Sequence, residues 1–139
     1  MEPLHAQIKG LIYNTLGIVA THEVWMSKTF HGRRVRVDLY VPPFKTYPSG
    51  FYVSCKRQDS SGSADEKIFC EIQRIQSCCD RPTFIVISGK QSGWMLEVAK
   101  KHVCGRLAGA YDLNEFASAL RDMAGGCLPV VAIGRPSLF

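Results

Sequence analysis

Apolar and polar residues alternate along residues 35–41, and a period of two over seven residues predicts a β-strand. The alternation would place one set of apolar side chains on a single face: Val35, Val37, Leu39 and Val41. Asp38 would lie on the opposite face with Arg36 and Tyr40. An acidic residue inside an apolar strand is the most unusual feature of this segment.

The same patterns predict the other elements of the chain. A helix begins at Pro3 and ends at Gly17, strands cover 22–30, 33–41 and 51–56, and a helix covers about 64–77. Residues 83–87 are uniformly apolar, which is typical of a central strand buried on both faces. Helices follow at 93–103 and 112–123, and the tail has one short apolar run at 130–133. Ser63 and Glu66 have the spacing of a capping box at the start of the helix over 64–77.

Length and composition indicate one α/β domain over residues 1–139. Hydrophobic residues make up 46% of the chain and charged residues 21%, values that are ordinary for a soluble globular protein. No apolar run approaches the ~20 residues that a membrane-spanning helix requires. The N-terminal residues lack the pattern of a secretory signal peptide, so we expect a cytoplasmic protein with no membrane partner.

Positive charge is concentrated in the first part of the chain. Residues 1–58 hold 8 Lys or Arg and 3 acidic residues, which gives +5, whereas residues 59–139 hold 9 of each. A phosphate backbone is the natural partner of such a surface, although a charge of +5 is also compatible with simple solubility. The charge pattern therefore favours nucleic acid as a partner without requiring it.

The six cysteines do not predict a metal site or a disulfide framework. The sequence has no C-x-x-C pair, and Cys55 and Cys70 occupy positions that suit a protein core. We interpret these thiols as small hydrophobic side chains. Phosphate-cradling loops of the G-x-x-x-x-G-K-[ST] type and H-E-x-x-H zinc motifs are also absent from the sequence.

Asp38 and Lys56 lie on neighbouring predicted strands that a turn-rich segment joins. A carboxylate and a lysine that meet at a sheet edge suit a divalent cation beside a scissile phosphate. The layout resembles the PD-(D/E)XK nuclease superfamily, which has the restriction-endonuclease-like fold. Asp38 matches the first metal-binding acid of that family, and Lys56 matches its lysine. The segments 56–58 and 61–67 also resemble small phage and bacterial members.

The resemblance implies an αβββαβ core over about residues 1–90, with a central mixed sheet flanked by helices. It also implies Mg²⁺ as the cofactor, with Mn²⁺ able to substitute, and roles in catalysis for Lys56 and Gln58. Gln58 would contact phosphate or the attacking water. Residues 91–139 would add C-terminal helices and a tail to this core.

Ser54 occupies the position where the family usually has its second acid, and a hydroxyl is a weaker magnesium ligand than a carboxylate. Some restriction enzymes that the chain resembles take this acid from the following helix. Glu71 lies fifteen residues after Lys56, on the flank of the helix face formed by Ile68, Ile72 and Ile75. We therefore predict Asp38 and Glu71 as the metal ligands. A site that has lost its second acid and no longer cuts remains the alternative.

These observations predict a Mg²⁺-dependent DNA endonuclease of the restriction, homing or junction-resolving type. The alternatives are a decayed nuclease fold that binds DNA or assists assembly, and an unrelated α/β interaction module. Four arginines are candidates for phosphate contacts: Arg33, Arg34, Arg36 and Arg57. Double-stranded or branched DNA is the expected substrate. Because one site cuts one strand, we expect a homodimer or a higher homo-oligomer.

Overall fold

The computed structural model describes residues 3–45, 47–57, 64–89 and 93–126, and within these ranges the side chains of residues 64–66 are not described. This part of the chain forms four helices and five strands. The helices are α1 (Leu4–Leu16), α2 (Ala64–Cys78), α3 (Gly93–Lys101) and α4 (Leu113–Ala124). The strands are β1 (Thr21–Phe30), β2 (Arg33–Val41), β3 (Phe51–Arg57), β4 (Thr83–Ser88) and β5 (Leu107–Tyr111). Along the chain they follow in the order α1 β1 β2 β3 α2 β4 α3 β5 α4.

The five strands form one mixed sheet in the order β1-β2-β3-β4-β5. Strand β2 is antiparallel to both β1 and β3, whereas β3, β4 and β5 are parallel to one another. Helices α2 and α3 supply the crossovers between the parallel strands, as a parallel connection requires. The predicted αβββαβ order with flanking helices is confirmed.

Two apolar clusters cover the two faces of the sheet. The first joins α1 and α4 to residues such as Phe51, Val53 and Phe84. The second joins α2 and α3 to the other faces of the same strands, including Ile85 and Ile87. Strand β4 is buried on both faces, as its uninterrupted apolar sequence predicts.

Strand β2 has the predicted bounds, but the prediction of a single apolar face was wrong. All four of its predicted core residues are buried. However, Leu39 and Val41 pack in the first cluster, whereas Val35 and Val37 pack in the second. The strand therefore contributes to both apolar clusters. Asp38 lies between its two residues of the second cluster and its two residues of the first cluster.

Strands β2 and β3 pair over a short distance only. The ladder has three residue pairs, from Val41 with Phe51 to Leu39 with Val53. At its closed end Gly50 has φ 78°, and a Cβ there would lie 2.2 Å from the carbonyl oxygen of Val41. The turn into β3 therefore requires glycine, both for its backbone angle and for the close approach of the two chains.

The remaining predictions differ from the structure in extent. Helix α3 ends at Lys101, two residues earlier than predicted, and β5 is an element that the sequence analysis missed. The apolar run at 130–133 and the capping residue Ser63 lie outside the described residues. Within the described ranges, none of the helices is long and apolar enough to cross a membrane.

Candidate active site

Asp38 occupies the point at which β2 and β3 separate. Beyond the pair of Leu39 with Val53, the backbone N–H of Cys55 donates to Oδ2 of Asp38 at 2.7 Å. The carboxylate thus satisfies a strand N–H that has no partner in the β2 ladder. This hydrogen bond fixes Asp38 beside the segment of β3 that carries Ser54 and Lys56.

Burial raises the pKa of the Cys55 thiol, and the nearby Asp38 carboxylate raises it further. A thiol with a raised pKa stays protonated at neutral pH, and a protonated thiol is a poor nucleophile. Cys55 therefore has a packing role next to the site, as predicted, whereas the prediction of a core position for Cys70 was wrong, because Cys70 is exposed on α2.

Glu71 is buried, with 6% of its surface exposed, on the side of α2 that faces β3. The hydroxyl of Ser54 donates a hydrogen bond to its Oε2 atom. Its Oε1 atom lies 3.5 Å from Nζ of Lys56 and 3.3 Å from a guanidinium nitrogen of Arg74. Two cations and one hydroxyl thus compensate a carboxylate that burial alone would destabilise.

The position of Glu71 follows from the pattern of α2. Ile68, Ile72 and Ile75 are buried in the second cluster and fix the rotation of the helix against the sheet. Glu71 is one residue before Ile72 and three before Arg74, so helical geometry places both polar residues at the edge of this apolar face. Glu71 forms its ion pairs with Lys56 and Arg74.

These residues line one polar pocket of about 270 Å³. The structure brings together three of the predicted site residues, Asp38, Lys56 and Glu71, with two of the predicted DNA-binding arginines. The full lining is Trp25, Arg34, Arg36, Asp38, Lys56, Glu71 and Arg74. Two carboxylates, one lysine and three arginines therefore face a cleft large enough for a phosphate group.

The pocket holds two carboxylates, the ligand type that hard divalent cations prefer. Oε1 of Glu71 is buried and has no hydrogen-bond partner, although two cations lie near it. Among the described residues, no group of three or more His, Cys, Asp or Glu side chains is placed to hold a metal ion. Mg²⁺ nevertheless commonly binds through one or two carboxylates and keeps several waters. Asp38 and Glu71 satisfy that requirement, whereas a dedicated all-protein cage is not present in this part of the chain.

The predicted phosphate-binding arginines occupy different places. Arg34 and Arg36 line the pocket, and Arg33 lines a neighbouring pocket together with Arg34 and Arg74. Arg57 is exposed at the end of β3. Two of the four arginines therefore lie in the pocket, a third lies in the neighbouring pocket, and Arg57 lines neither of the two.

Arg36 is also held by a carboxylate from the adjacent strand. Its guanidinium donates to Oε1 of Glu23 at 3.1 Å. Glu23 has φ 60°, a conformation that L-residues rarely adopt and that costs on the order of 1 kcal/mol or more. Glu23 thus holds the guanidinium of Arg36 beside β1.

Two predicted features lie outside what the structure describes. Gln58, the candidate for a contact with phosphate or water, falls in the segment 58–63. The side chain of Glu66, which was expected to cap α2, is likewise outside the described residues.

Sequence reasoning missed Trp25 and Arg74 as pocket residues. Arg74 could have been found from its spacing, because a residue three positions after Glu71 shares its side of a helix. The sequence gives less indication of Trp25, because its position beside Asp38 depends on how the hairpin of β1 and β2 packs in the folded protein. The cross-strand pairing of Trp25 with Arg36 is a tertiary feature.

Comparison with protein families gives a match that bears on this geometry. A family model described as a PD-(D/E)XK nuclease superfamily domain matches residues 5–101. The matched range contains all five residues of the Asp38, Ser54, Lys56, Glu71 and Arg74 cluster. Comparisons with curated proteins and with solved structures returned no match.

Proposed function

Since the chain belongs to the PD-(D/E)XK nuclease superfamily and has its restriction-endonuclease-like α/β fold, we propose that it is a DNA endonuclease that requires a divalent metal. Mg²⁺ would be the cofactor, with Mn²⁺ able to substitute. The observation that carries the proposal is the pocket in which Asp38, Lys56 and Glu71 meet. These residues come from β2, β3 and α2, and they meet at the point where β2 and β3 separate.

Asp38 and Glu71 would hold the cation, which when bound polarises a phosphodiester and lowers the pKa of a coordinated water. Ser54 would act as a positioning residue, because its hydroxyl binds Oε2 of Glu71 and leaves Oε1 without a hydrogen bond. This arrangement supports a second acid that has migrated from β3 to α2.

Lys56 would stabilise the negative charge that builds on the phosphate or orient the attacking water. Its Nζ lies 3.5 Å from Glu71 and its side chain is one-third exposed, so it borders both the carboxylate and the open pocket. Arg34, Arg36 and Arg74 would hold the phosphate backbone, where fixed positive charge contributes to transition-state stabilisation without further reorganisation. Arg33 and Arg57 would contact phosphates farther along the DNA.

A double-strand break would require two copies of the site, because this chain presents one such pocket among its described residues. The proposal therefore includes a homodimer or a higher homo-oligomer acting on double-stranded or branched DNA.

The test is cleavage of supercoiled plasmid and of forked DNA with Mg²⁺, Mn²⁺ or Ca²⁺. Variants Asp38→Asn, Lys56→Ala and Glu71→Gln should each lose at least about 100-fold in rate, as removal of a transition-state contact does. Lys67→Ala is the matched control, because Lys67 is an exposed lysine on the same helix as Glu71. It should cut at the wild-type rate.

Two results would change the proposal. Cleavage that persists in Glu71→Gln would place the second acid elsewhere. Salt-dependent DNA binding without cleavage in any metal would favour the decayed, DNA-binding alternative, which draws support from the neutralisation of Glu71 by Lys56 and Arg74.

A further inference from the structure

Trp25 is a large aromatic side chain exposed at the rim of the candidate site. Its exposed fraction is 48%, and it lines the same pocket as Asp38, Lys56 and Glu71. The strand pairing shifts register between Trp25 and Thr29, so the residue precedes an irregularity of β1. Such bulges re-aim side chains and are frequent beside active sites.

Two guanidinium groups hold the indole in place. Arg34 lies 4.3 Å from the ring centroid, and Arg36, its cross-strand partner, lies 6.0 Å from it. Cations at these distances interact favourably with the face of an indole. The residue nevertheless keeps about half of its surface exposed, so these contacts position the indole and leave part of it accessible.

We propose that Trp25 stacks on an unpaired nucleobase next to the scissile phosphate, and that the preferred substrate is DNA with a single-stranded or branched segment at the cut. This inference rests on the proposed function of the neighbouring pocket. The bases of an intact duplex have both faces covered by their neighbours, so an indole reaches a base face only where the strand is unpaired or the base is extruded. Stacking tolerates any base, because every base has a π-face.

The pairing of an aromatic ring with a basic groove is the general arrangement of single-strand binding sites. Here the ring and the three arginines Arg34, Arg36 and Arg74 border one cleft. A strand whose phosphate enters the cleft would place an adjacent base within reach of the rim. The arginines would hold the backbone, and Trp25 would discriminate unpaired from paired DNA.

The chain provides a matched control for this assignment. It contains two tryptophans. Trp94 lies in the first turn of α3 with an exposed fraction of 54%, similar to that of Trp25, and it does not line this pocket. Trp94→Phe therefore leaves the proposed stacking residue as the sole fluorescent tryptophan.

The first experiment is a titration of Trp94→Phe with a single-stranded oligonucleotide, a fork and a fully paired duplex, with calcium in place of magnesium. We expect strong quenching by the single strand and the fork and little by the duplex. Trp25→Phe, whose emission comes from Trp94, should show little change with any of them. Equal quenching by the duplex, the absence of quenching, or the absence of DNA binding would overturn the inference.

The second experiment measures binding and cleavage by Trp25→Ala and Trp25→Phe. Loss of a stacked base predicts roughly 5- to 150-fold weaker binding of forked DNA by Trp25→Ala, with partial recovery in Trp25→Phe. Binding of the paired duplex should change much less. An equal loss on both substrates would indicate a structural role for Trp25 and would overturn the inference.

The two proposals fail separately. Quenching and fork preference without any cleavage would refute the nuclease and leave the stacking site intact. Metal-dependent cleavage that treats forked and paired DNA alike, in wild type and in Trp25→Ala, would refute the stacking site and leave the nuclease intact.

Discussion

The hydroxyl of Ser54 donates a hydrogen bond to the carboxylate of Glu71, across the boundary between β3 and α2. Ser54 is almost completely buried, as is Glu71, and in the proposed site assignment Ser54 stands where the superfamily usually has its second acid. In that assignment the serine and the migrated acid are in direct contact with each other. The site can therefore be tested by exchanging the two residues as well as by removing each side chain.

The first prediction concerns that exchange. Ser54→Glu alone would place a second carboxylate beside buried Glu71, and like charges at this depth should lower the free energy of unfolding by about 2–4 kcal/mol. The double variant Ser54→Glu with Glu71→Ser should recover most of this stability and cut faster than Glu71→Ser alone. Urea denaturation and plasmid nicking measure the two effects. If the double variant were neither more stable than Ser54→Glu nor faster in nicking than Glu71→Ser, the two positions would not be interchangeable.

The second prediction separates the two roles of Asp38. Asparagine keeps a carbonyl oxygen that can accept from the N–H of Cys55, whereas alanine leaves that N–H without its partner. We expect Asp38→Ala to lose about 1–3 kcal/mol of unfolding free energy and Asp38→Asn to lose less. Both should lose metal-dependent cleavage. Equal destabilisation of the two variants in urea melts would contradict a structural role for this hydrogen bond.

The third prediction concerns Arg74, whose guanidinium lies 3.3 Å from Glu71. A fixed cation next to a metal-binding carboxylate opposes the binding of a second cation. Arg74→Gln should therefore lower the Mg²⁺ concentration for half-maximal cleavage by about 3- to 10-fold, the effect of one charge several ångströms from the cation in a medium close to bulk water.

Magnesium titrations of the nicking rate at saturating DNA measure this shift. Arg74→Lys keeps the charge and should keep the wild-type midpoint, and Lys67→Gln removes an exposed charge from the same helix as a control. A midpoint that rises in Arg74→Gln would mean that Arg74 chiefly holds Glu71 in position.

The fourth prediction concerns stability at alkaline pH. Burial raises the pKa of Tyr47 to about 12, and burial together with the hydrogen bond to Asp80 raises that of Tyr52 to about 12. In the unfolded chain these phenols ionise near pH 10. Their contribution to stability is thus present in full below pH 10 and is lost as the pH rises toward 12.

We expect the free energy of unfolding to fall steeply between pH 10 and pH 12, because each tyrosine that stays protonated only in the folded protein lowers it by about 1.4 kcal/mol per pH unit. Denaturant melts between pH 8 and pH 12 measure the slope. Tyr47→Phe removes one buried ionisable group, so its slope should be shallower than that of the wild type. An unchanged slope would show that Tyr47 ionises as easily in the folded protein as in the unfolded chain.

Much of the fold could be predicted because its signals are local. Strong β-formers at period two specify β2 to the residue, and Gly17 ends α1 where the sequence predicts. Strand β5 could not be predicted in this way. Its sequence, Leu-Ala-Gly-Ala-Tyr, has little β-propensity, and its pairing with β4 is a tertiary contact. Gly109 is required for a local reason, since a Cβ there would lie 2.7 Å from the hydroxyl of Tyr111 in the same strand.

Residues of the candidate site could be predicted where sequence spacing on consecutive elements places them together. They could not be predicted where their position depends on how distant elements pack. Lys56 and Glu71 lie on consecutive elements, and the structure places them in one pocket. Trp25 reaches the same pocket from β1, which packs against α2 although the two elements are far apart in the sequence. The division of the apolar residues of β2 between two clusters is likewise a tertiary feature.

The separate origins of Asp38, on β2, and Glu71, on α2, have a consequence for the folding equilibrium. A cation shared by the two carboxylates would bridge a strand and a helix that are distant in the sequence, and the unfolded chain has no such pair. Ligand binding that is confined to the folded state adds RT ln(1 + [L]/Kd), about 2.7 kcal/mol at one hundred times Kd. The melting temperature would then rise with the concentration of divalent metal, and a thermal shift in the absence of DNA would report occupancy of the site independently of catalysis.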